Sequence, residues 1–225
     1  MKQPFHAVIF DLDGVLADTV KFHFHATKQV ADEEGLPFTE EMNQKYQGQN
    51  RAVLIEALVN QTNKHYSSLE KEQLGIRKNL YFQQLISTLT KEDILPGMYS
   101  FLMSLKKENI KIAVASSSSN ARTTLENLEI IHLFDHIVDI RKIKELKPNP
   151  EIFMKAADYL GISHHKCIVI EDSEAGIKAI KRASMFSVGV GNHQGVKQAD
   201  WHVINTEEIT MDHLIRKYQT KLCIK

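Results

Sequence analysis

This sequence of 225 residues has no excess charge of either sign. It contains 28 Lys and Arg residues against 28 Asp and Glu residues, so its formal net charge is zero. A balanced charge offers no broad electrostatic surface to nucleic acid or to an anionic membrane, and we expect neither as a partner. Any anion that the protein binds must therefore be held by a local site.

Long apolar runs and closely spaced cysteines are missing as well. No apolar run reaches 18 residues, and only "AVIF" precedes Asp11, so we expect neither a membrane span nor a signal peptide and assign a cytoplasmic location. The two cysteines, Cys167 and Cys223, lack the spacing of a metal site. Cys167 lies inside "KCIVIED", where we expect a small buried side chain. The sequence also has no internal repeats or low-complexity tracts.

Short apolar runs separated by amphipathic segments are what the sequence does contain. The runs that indicate strands are 6–11, 110–117, 136–140, 166–172 and 186–191, with a weaker one at 201–204. Three of them are nearly continuous in Val, Ile and Ala, which favours strands covered on both faces. Helix-length segments lie at 97–108, 120–129, 149–160 and 173–184. This alternation predicts an α/β fold, a Rossmann-like parallel sheet with helices on both sides.

Residues 17–92 interrupt this alternation. They contain no convincing strand but several helical stretches, and a Pro-Gly turn at 95–98 then opens the next helix of the α/β pattern. We therefore predict an inserted α-helical cap domain at 17–92 and an α/β core formed by 1–16 and 93–225. The tail from about residue 207 is expected to form a final packing helix.

Polar residues stand where three of the predicted strands end. These are Asp11, Ser116 and the pair Glu171 and Asp172. Ligands of open parallel sheets bind beyond the carboxyl ends of the strands. A helical insert that leaves the sheet just after Asp13 would lie over these residues, so we expect chemistry between a sheet edge and a lid.

Four motifs carry a resemblance to a known family. They are "DLDGVL" from Asp11, Ser116 at the end of "IKIAVAS", Lys147 in "LKPNPEIF" and "EDSEAGIKAI" from Glu171. In this order, and over essentially the full length, the chain resembles the haloacid dehalogenase superfamily of phosphotransferases. The segments "DTVKFHFHA", "YQGQNR", "IRKN" and "SSSSN" are most similar to its mutases, which interconvert β-glucose 1-phosphate and glucose 6-phosphate through the 1,6-bisphosphate.

The resemblance implies roles for the acidic residues. Asp11 would be the nucleophile that becomes an aspartyl phosphate, and Asp13 would be the general acid and base. Mg²⁺ would be held by Asp11, the backbone carbonyl of Asp13, Glu171 and Asp172. Oxygen ligands suit this ion, which would shield the nucleophile from the charge of the phosphate.

The resemblance also implies a set of substrate contacts. Lys147 and Ser116 would hold the transferring phosphoryl group, and His23 would couple cap closure to Asp13. The remaining contacts, from the cap and the "SSSSN" run, are Thr19, Gly48, Arg51, Lys78, Ser117, Ser118 and Asn120. Two plainer readings stay open, because Thr19 and Asn120 also suit the N-caps of helices and His23 suits a structural role on an amphipathic helix.

The same positions leave two functions open. Arg51, Ser118 and Asn120 would clamp a second phosphate, which favours a mutase. Ser119 stands where the family pattern has a lysine, which favours a phosphatase of small phosphorylated sugars. Further departures from the pattern are Asn50 and Leu54 in place of serines and Thr27 in place of a tryptophan. In both cases we expect a monomer that binds a small phosphorylated sugar.

Overall fold

A six-stranded parallel sheet forms the centre of the computed structural model, which describes residues 4–223 apart from the side chain of Leu222. Its strands are β1 (Ala7–Phe10), β2 (Lys111–Val114), β3 (His136–Ile137), β4 (Cys167–Glu171), β5 (Phe186–Val190) and β6 (Trp201–Val203). They lie in the order β3-β2-β1-β4-β5-β6, and every neighbouring pair is parallel. The predicted α/β fold with its parallel sheet is confirmed.

The third strand is shorter than the sequence indicates. The prediction of a strand over 136–140 is wrong beyond Ile137, where pairing with β2 stops. The carboxylate of Asp139 accepts a hydrogen bond from the backbone N–H of Arg141 and caps a 3₁₀ turn at Ile140–Lys142. This side-chain cap offers the backbone an alternative to the ladder and so ends the strand.

Four helices lie between β1 and β2. They are α1 (Val20–Glu34), α2 (Glu40–Tyr46), α3 (Arg51–Val59) and α4 (Ser68–Ile86), and we call 20–86 the helical segment. Helix α4 begins with a capping box, in which Ser67 and Glu70 each bind the other's backbone N–H. The sequence did not single out α2, because none of its residues is buried and it has no apolar face to recognise.

The other helices cover the two faces of the sheet. They are α5 (Met98–Lys107), α6 (Ala121–Asn127), α7 (Glu151–Leu160), α8 (Glu174–Arg182) and α9 (Met211–Cys223). Alternate residues of β1 join different hydrophobic clusters, Val8 and Phe10 on one face and Ala7 and Ile9 on the other. Cys167 is buried in the second cluster, as expected. No helix in residues 4–223 is long and apolar enough to cross a membrane.

The helical segment has a hydrophobic cluster of its own. It joins residues of α1, α3 and α4, among them Val30, Ile55, Leu58 and Leu74. The far end of α4 packs elsewhere, because Phe82 belongs to the cluster on the sheet. One end of the segment is therefore anchored to the sheet, while the remainder is held together by its own packing.

The chain enters and leaves the helical segment through adjacent stretches. Ala17 forms a parallel bridge with Asp13 and an antiparallel bridge with Ile94. The N–H of Leu95 donates to the carbonyl of Leu16 at 3.0 Å. The two crossings between sheet and helical segment are thus hydrogen-bonded to each other.

Candidate active site

Three carboxylates meet at the carboxyl edge of the sheet. Asp11 directly follows β1, Glu171 ends β4, and Asp172 comes next in the chain. Because β1 and β4 are paired, their ends bring these side chains together. One carboxylate oxygen from each of the three lies within 4.8 Å of the others, and all three residues are buried.

A buried lysine lies among these carboxylates. Lys147 Nζ donates to Asp11 Oδ1 at 2.5 Å and to Glu171 Oε2 at 2.9 Å. Burial alone would lower the pKa of Lys147, but the two carboxylates raise it above its usual range, so the ammonium stays charged. The cluster therefore holds one cation against three carboxylates.

The uncompensated charge raises carboxyl pKa values. Burial raises the pKa of Asp11 to about 7, with Glu171 adding to the effect and Lys147 opposing it. Burial and the neighbouring carboxylates raise the pKa of Asp172 well above its usual value. A divalent cation would relieve this crowding, and three buried carboxylates fit the preference of Mg²⁺ for oxygen ligands.

Asp13 lies in a different environment from Asp11. Thr19 Oγ1 donates to Asp13 Oδ1 at 2.5 Å, His23 Nε2 lies 3.3 Å from the same oxygen, and Ser116 Oγ lies 3.5 Å from Oδ2. Burial alone would raise the pKa of Asp13, but its contacts with His23 and Thr19 lower it. Thr19 occupies the N-cap position of α1, yet its hydroxyl serves Asp13 and caps no backbone N–H.

The contact to His23 continues into α4. Lys78 Nζ lies 2.7 Å from His23 Nδ1, and the His23 ring stacks on Phe82 with centroids 3.9 Å apart. A protonated lysine can only donate, so Nδ1 accepts and the neutral ring carries its proton on Nε2, towards Asp13. Burial lowers the pKa of Lys78 to about 8. The histidine is therefore both packed against an aromatic ring and hydrogen-bonded towards the carboxylate cluster.

A cavity of about 350 Å³ opens above the cluster, between the sheet edge and the helical segment. Its lining includes the predicted residues Asp11, Asp13, His23, Gly48, Arg51, Lys78, Ser117, Ser118, Asn120 and Asp172. The other predicted residues reach the lining through hydrogen bonds, because Thr19 and Ser116 bind Asp13 and Lys147 joins Asp11 to Glu171. The structure thus brings all the predicted site residues together, and their individual roles stay predictions.

Arg51 is the first residue of α3 and lines this cavity. Among residues 4–223 no carboxylate forms an ion pair with it, and burial lowers its pKa. Asn120 lines the opposite wall, and its side-chain amide bonds to Asn79 at 2.9 Å and Gln83 at 3.1 Å, both on α4. An unpaired guanidinium in a half-buried position is suited to an anionic ligand.

The loop after α2 touches the core at two points. Gln47 Nε2 donates to Asp172 Oδ2 at 2.6 Å, and Ser117 Oγ donates to the carbonyl of Gly48 at 2.7 Å. Gly48 has a φ of +74°, and a Cβ there would lie 2.2 Å from Ser173 Oγ. A glycine is required at this position both for the backbone conformation and for the close approach.

Sequence reasoning missed several residues at this site, among them Gln47, Arg141 and Ser173. Gln47 and Arg141 line the cavity, and Ser173 Oγ donates to Glu171 Oε1 at 2.6 Å while accepting from the N–H of Gly176 at 3.0 Å. Gln47 and Ser173 are next to predicted residues, so proximity in the motifs could have indicated them. For Arg141, the sequence carries no comparable signal.

The chain belongs to the haloacid dehalogenase-like hydrolase family, whose model matches residues 8–190. Beta-phosphoglucomutase from Bacillus subtilis (strain 168) is 45% identical to it over 215 residues, which cover 95% of each protein. The crystal structure of beta-phosphoglucomutase from Clostridium difficile superposes with a TM-score of 0.93 at 39% identity, covering 97% of this chain and 99% of that one. The family resemblance is confirmed.

Phosphatases are also among the relatives. Phosphorylated carbohydrates phosphatase from Thermotoga maritima is 34% identical over 185 residues, which cover 80% of this chain and 82% of that protein. The relatives of this chain therefore include both a protein named as a mutase and one named as a phosphatase.

Proposed function

We propose that this protein catalyses the β-phosphoglucomutase reaction, the interconversion of β-D-glucose 1-phosphate and glucose 6-phosphate through the 1,6-bisphosphate. The observation that carries this proposal is a cavity with an unpaired arginine on its wall and, at its floor, a carboxylate cluster that a bound cation would turn into a phosphate site. Its floor holds Lys147 and the carboxylate cluster, and its wall holds the unpaired Arg51. A bisphosphate has two phosphate groups, one to transfer and one to hold. The two beta-phosphoglucomutases described above support the same activity.

Phosphoryl transfer takes place at the floor of the cavity. A carboxylate oxygen of Asp11 attacks phosphorus, the bond between phosphorus and the sugar oxygen breaks, and Asp11 becomes an aspartyl phosphate. The Lys147 ammonium and the Ser116 hydroxyl hold the phosphoryl oxygens. Asp11, the carbonyl of Asp13, Glu171 and Asp172 would hold Mg²⁺, which would supply positive charge to offset the repulsion between carboxylate and phosphate.

Asp13 moves the proton. It takes the proton from the sugar hydroxyl that attacks the aspartyl phosphate, and in the opposite direction it returns a proton to the leaving sugar oxygen. Thr19 and His23 orient its carboxylate for both steps. The lowered pKa of Asp13 leaves its carboxylate ionised and ready to accept the proton of the attacking hydroxyl, while a bound Mg²⁺ would counter the raised pKa of Asp11 and keep the nucleophile ionised.

The helical segment would decide which nucleophile enters. We propose that residues 17–92 form a cap domain that closes on the core of 1–16 and 93–225, held by the bonds from Gln47 to Asp172 and from Ser117 to Gly48. Closure excludes water, so the phosphoryl group passes to a sugar hydroxyl. We propose that the protein acts as a monomer, because the residues given a role in transfer, proton movement and phosphate binding meet within one fold.

Hydrolysis of small phosphorylated sugars is the second candidate. Ser119 favours it, because the wall of the cavity has a serine where the family pattern has a lysine. The relative from Thermotoga maritima, named a phosphorylated carbohydrates phosphatase, also favours it.

One assay separates the two candidates. The protein is given β-glucose 1-phosphate, a catalytic amount of β-glucose 1,6-bisphosphate and Mg²⁺, and glucose 6-phosphate and free phosphate are measured together. We expect glucose 6-phosphate to accumulate with little free phosphate, and a chelator to stop its formation. Free phosphate without glucose 6-phosphate would overturn the mutase proposal in favour of the phosphatase.

A further inference from the structure

A second arginine lines the cavity on the side opposite to the helical segment. Arg51 and Lys78 come from the helical segment, whereas Arg141 belongs to the 3₁₀ turn that follows β3 in the core. The carboxylates that line the cavity are Asp11, Asp13 and Asp172, all at its floor. The cavity is therefore lined by cations from both the helical segment and the core.

Arg141 is available for a ligand. Its side chain is 83% exposed, and its Nε and Nη2 donate to Asp139 Oδ1 and Oδ2 at 2.8 and 2.9 Å. Among the described residues its Nη1 makes no hydrogen bond, and Asp139 does not line the cavity. An exposed ion pair contributes little, so a phosphate dianion competes well for a guanidinium that can bind it through two N–H groups.

We propose that Arg141, together with Arg51, binds the non-transferring phosphate, and so determines the preference for substrates that carry a phosphate besides the one transferred. This inference rests on the proposed function, because it requires a substrate with a second phosphate. Ser119 lines the same cavity and cannot supply a charge. Arg141 therefore provides, from the turn after β3, the positive charge that the serine run lacks.

The placement of the two arginines has a further effect. One belongs to the helical segment and the other to the core, so a phosphate bound by both connects the two parts of the molecule. Binding of the second phosphate then favours the closed arrangement in which Gln47 and Asp172 are in contact. A substrate whose only phosphate is the one transferred would not provide this link.

The test compares substrates with and without a second phosphate. We expect Arg141→Ala to raise the KM for β-glucose 1,6-bisphosphate about tenfold, as loss of a charged hydrogen bond does. This rise in KM should be much larger than the rise for p-nitrophenyl phosphate, which has no second phosphate. Lys142→Ala is the matched control, since Lys142 is an adjacent exposed cation outside the cavity lining. It should leave the KM of both substrates unchanged. Equal losses with both substrates would overturn the proposal.

A positive charge introduced at Ser119 distinguishes a ligand-binding role of Arg141 from a structural role of Arg141. In the Arg141→Ala background, Ser119→Arg places a cation on the same cavity and should recover most of the lost affinity for the bisphosphate. A structural role for Arg141 predicts no recovery, and that result would contradict the proposal.

Binding can be measured without turnover. In the Asp11→Asn background, calorimetric titration with β-glucose 1,6-bisphosphate should give an about tenfold weaker Kd when Arg141→Ala is added. An unchanged Kd would overturn the role of Arg141 even if the wild-type protein is a mutase. A weakened Kd in a protein that forms no glucose 6-phosphate would instead overturn the proposed function and leave the anion site in place.

Discussion

Asp11 and Asp13 lie two residues apart in one loop, yet their surroundings shift their pKa values in opposite directions. Asp11 is buried beside Glu171, and its pKa is raised to about 7. Asp13 receives hydrogen bonds from Thr19 and His23, and its pKa is lowered. Environment rather than residue type therefore sets how readily each of the two carboxyls ionises.

The role of Asp11 is tested by a change of one heavy atom. Asp11→Asn keeps the shape of the side chain but removes the nucleophilic oxygen anion, so we expect glucose 6-phosphate formation to fall by about 10⁴-fold or more. Circular dichroism should show an unchanged fold. Asp18→Asn is the control, because Asp18 is exposed and, among residues 4–223, forms its ion pair with Lys21. Retention of full turnover by Asp11→Asn would exclude Asp11 as the nucleophile.

Lys78 makes the free energy of unfolding depend on pH. Burial lowers its pKa to about 8 in the folded protein, from an ordinary value of 10.5. Between these values the unfolded chain binds a proton that the folded protein does not, so raising the pH favours the folded state, by on the order of 3 kcal/mol across the window. Denaturant unfolding of the wild type and of Lys78→Met at pH 7.5 to 10.5 should show this rise in the wild type alone. If the free energy of unfolding changed with pH in the same way in both proteins, the lowered pKa assigned to Lys78 would be contradicted.

At the scale of single elements, local pattern predicts most of what the structure contains. "AVIF" indicated a strand buried on both faces, and its residues do alternate between two hydrophobic clusters. The prediction was wrong where side chains compete with the ladder, at the turn capped by Asp139, and incomplete where a helix buries nothing, at α2. Periodicity reports burial, so an element without a buried face escapes it.

The site shows the same limit. Asp11, Glu171 and Asp172 could be predicted because the carboxyl ends of neighbouring strands must meet. The bond from Gln47 to Asp172 joins residues 125 positions apart and depends on where the loop after α2 comes to rest. Such contacts between the helical segment and the core depend on how the helices pack, and no local pattern encodes them.

Helix α8 begins directly beneath one of the carboxylates. A Cβ at Gly176, in the first turn of α8, would lie 2.0 Å from Glu171 Cδ. We expect Gly176→Ala to displace the Glu171 carboxylate and to weaken Mg²⁺ binding about tenfold or more, measured by calorimetry, since perturbing a supporting residue typically costs 10- to 100-fold in metal affinity.

A second helical glycine gives a matched comparison. Gly75 lies inside α4, where a Cβ would meet its nearest neighbour, Arg51, at an ordinary 3.6 Å. Gly75→Ala should leave Mg²⁺ affinity unchanged and raise the free energy of unfolding by up to about 1 kcal/mol through helix propensity. Equal Mg²⁺ affinities in the two variants would show that the contact between Gly176 and Glu171 does not position the ligand.

At the scale of the whole molecule, the carboxylate cluster lowers the free energy of unfolding while it forms a charged site. Three buried carboxylates lie beside one lysine, so their mutual repulsion destabilises the folded protein when no cation is bound. A ligand that binds only the folded state stabilises it by mass action, about 2.7 kcal/mol at a concentration 100 times its Kd.

Mg²⁺ should therefore raise the thermal midpoint. For a chain of this length we expect an increase of about 5–10 °C at saturating Mg²⁺ relative to excess chelator. Asp172→Asn removes one of the three carboxylates and should reduce the increase, whereas Asp18→Asn should not. Identical midpoints with and without Mg²⁺ in the wild type would exclude this cluster as a cation site.

The paired crossings at Ala17 and Ile94 bear on how such a molecule could change over evolution. Residues joined by an antiparallel bridge have Cα atoms only about 5 Å apart, a gap that a short turn can close. Everything between them could be exchanged, lengthened or lost without rethreading the sheet or moving Asp11. New substrate preferences can thus be acquired by replacing the helical segment, while the phosphoryl-transfer residues of the core stay unchanged.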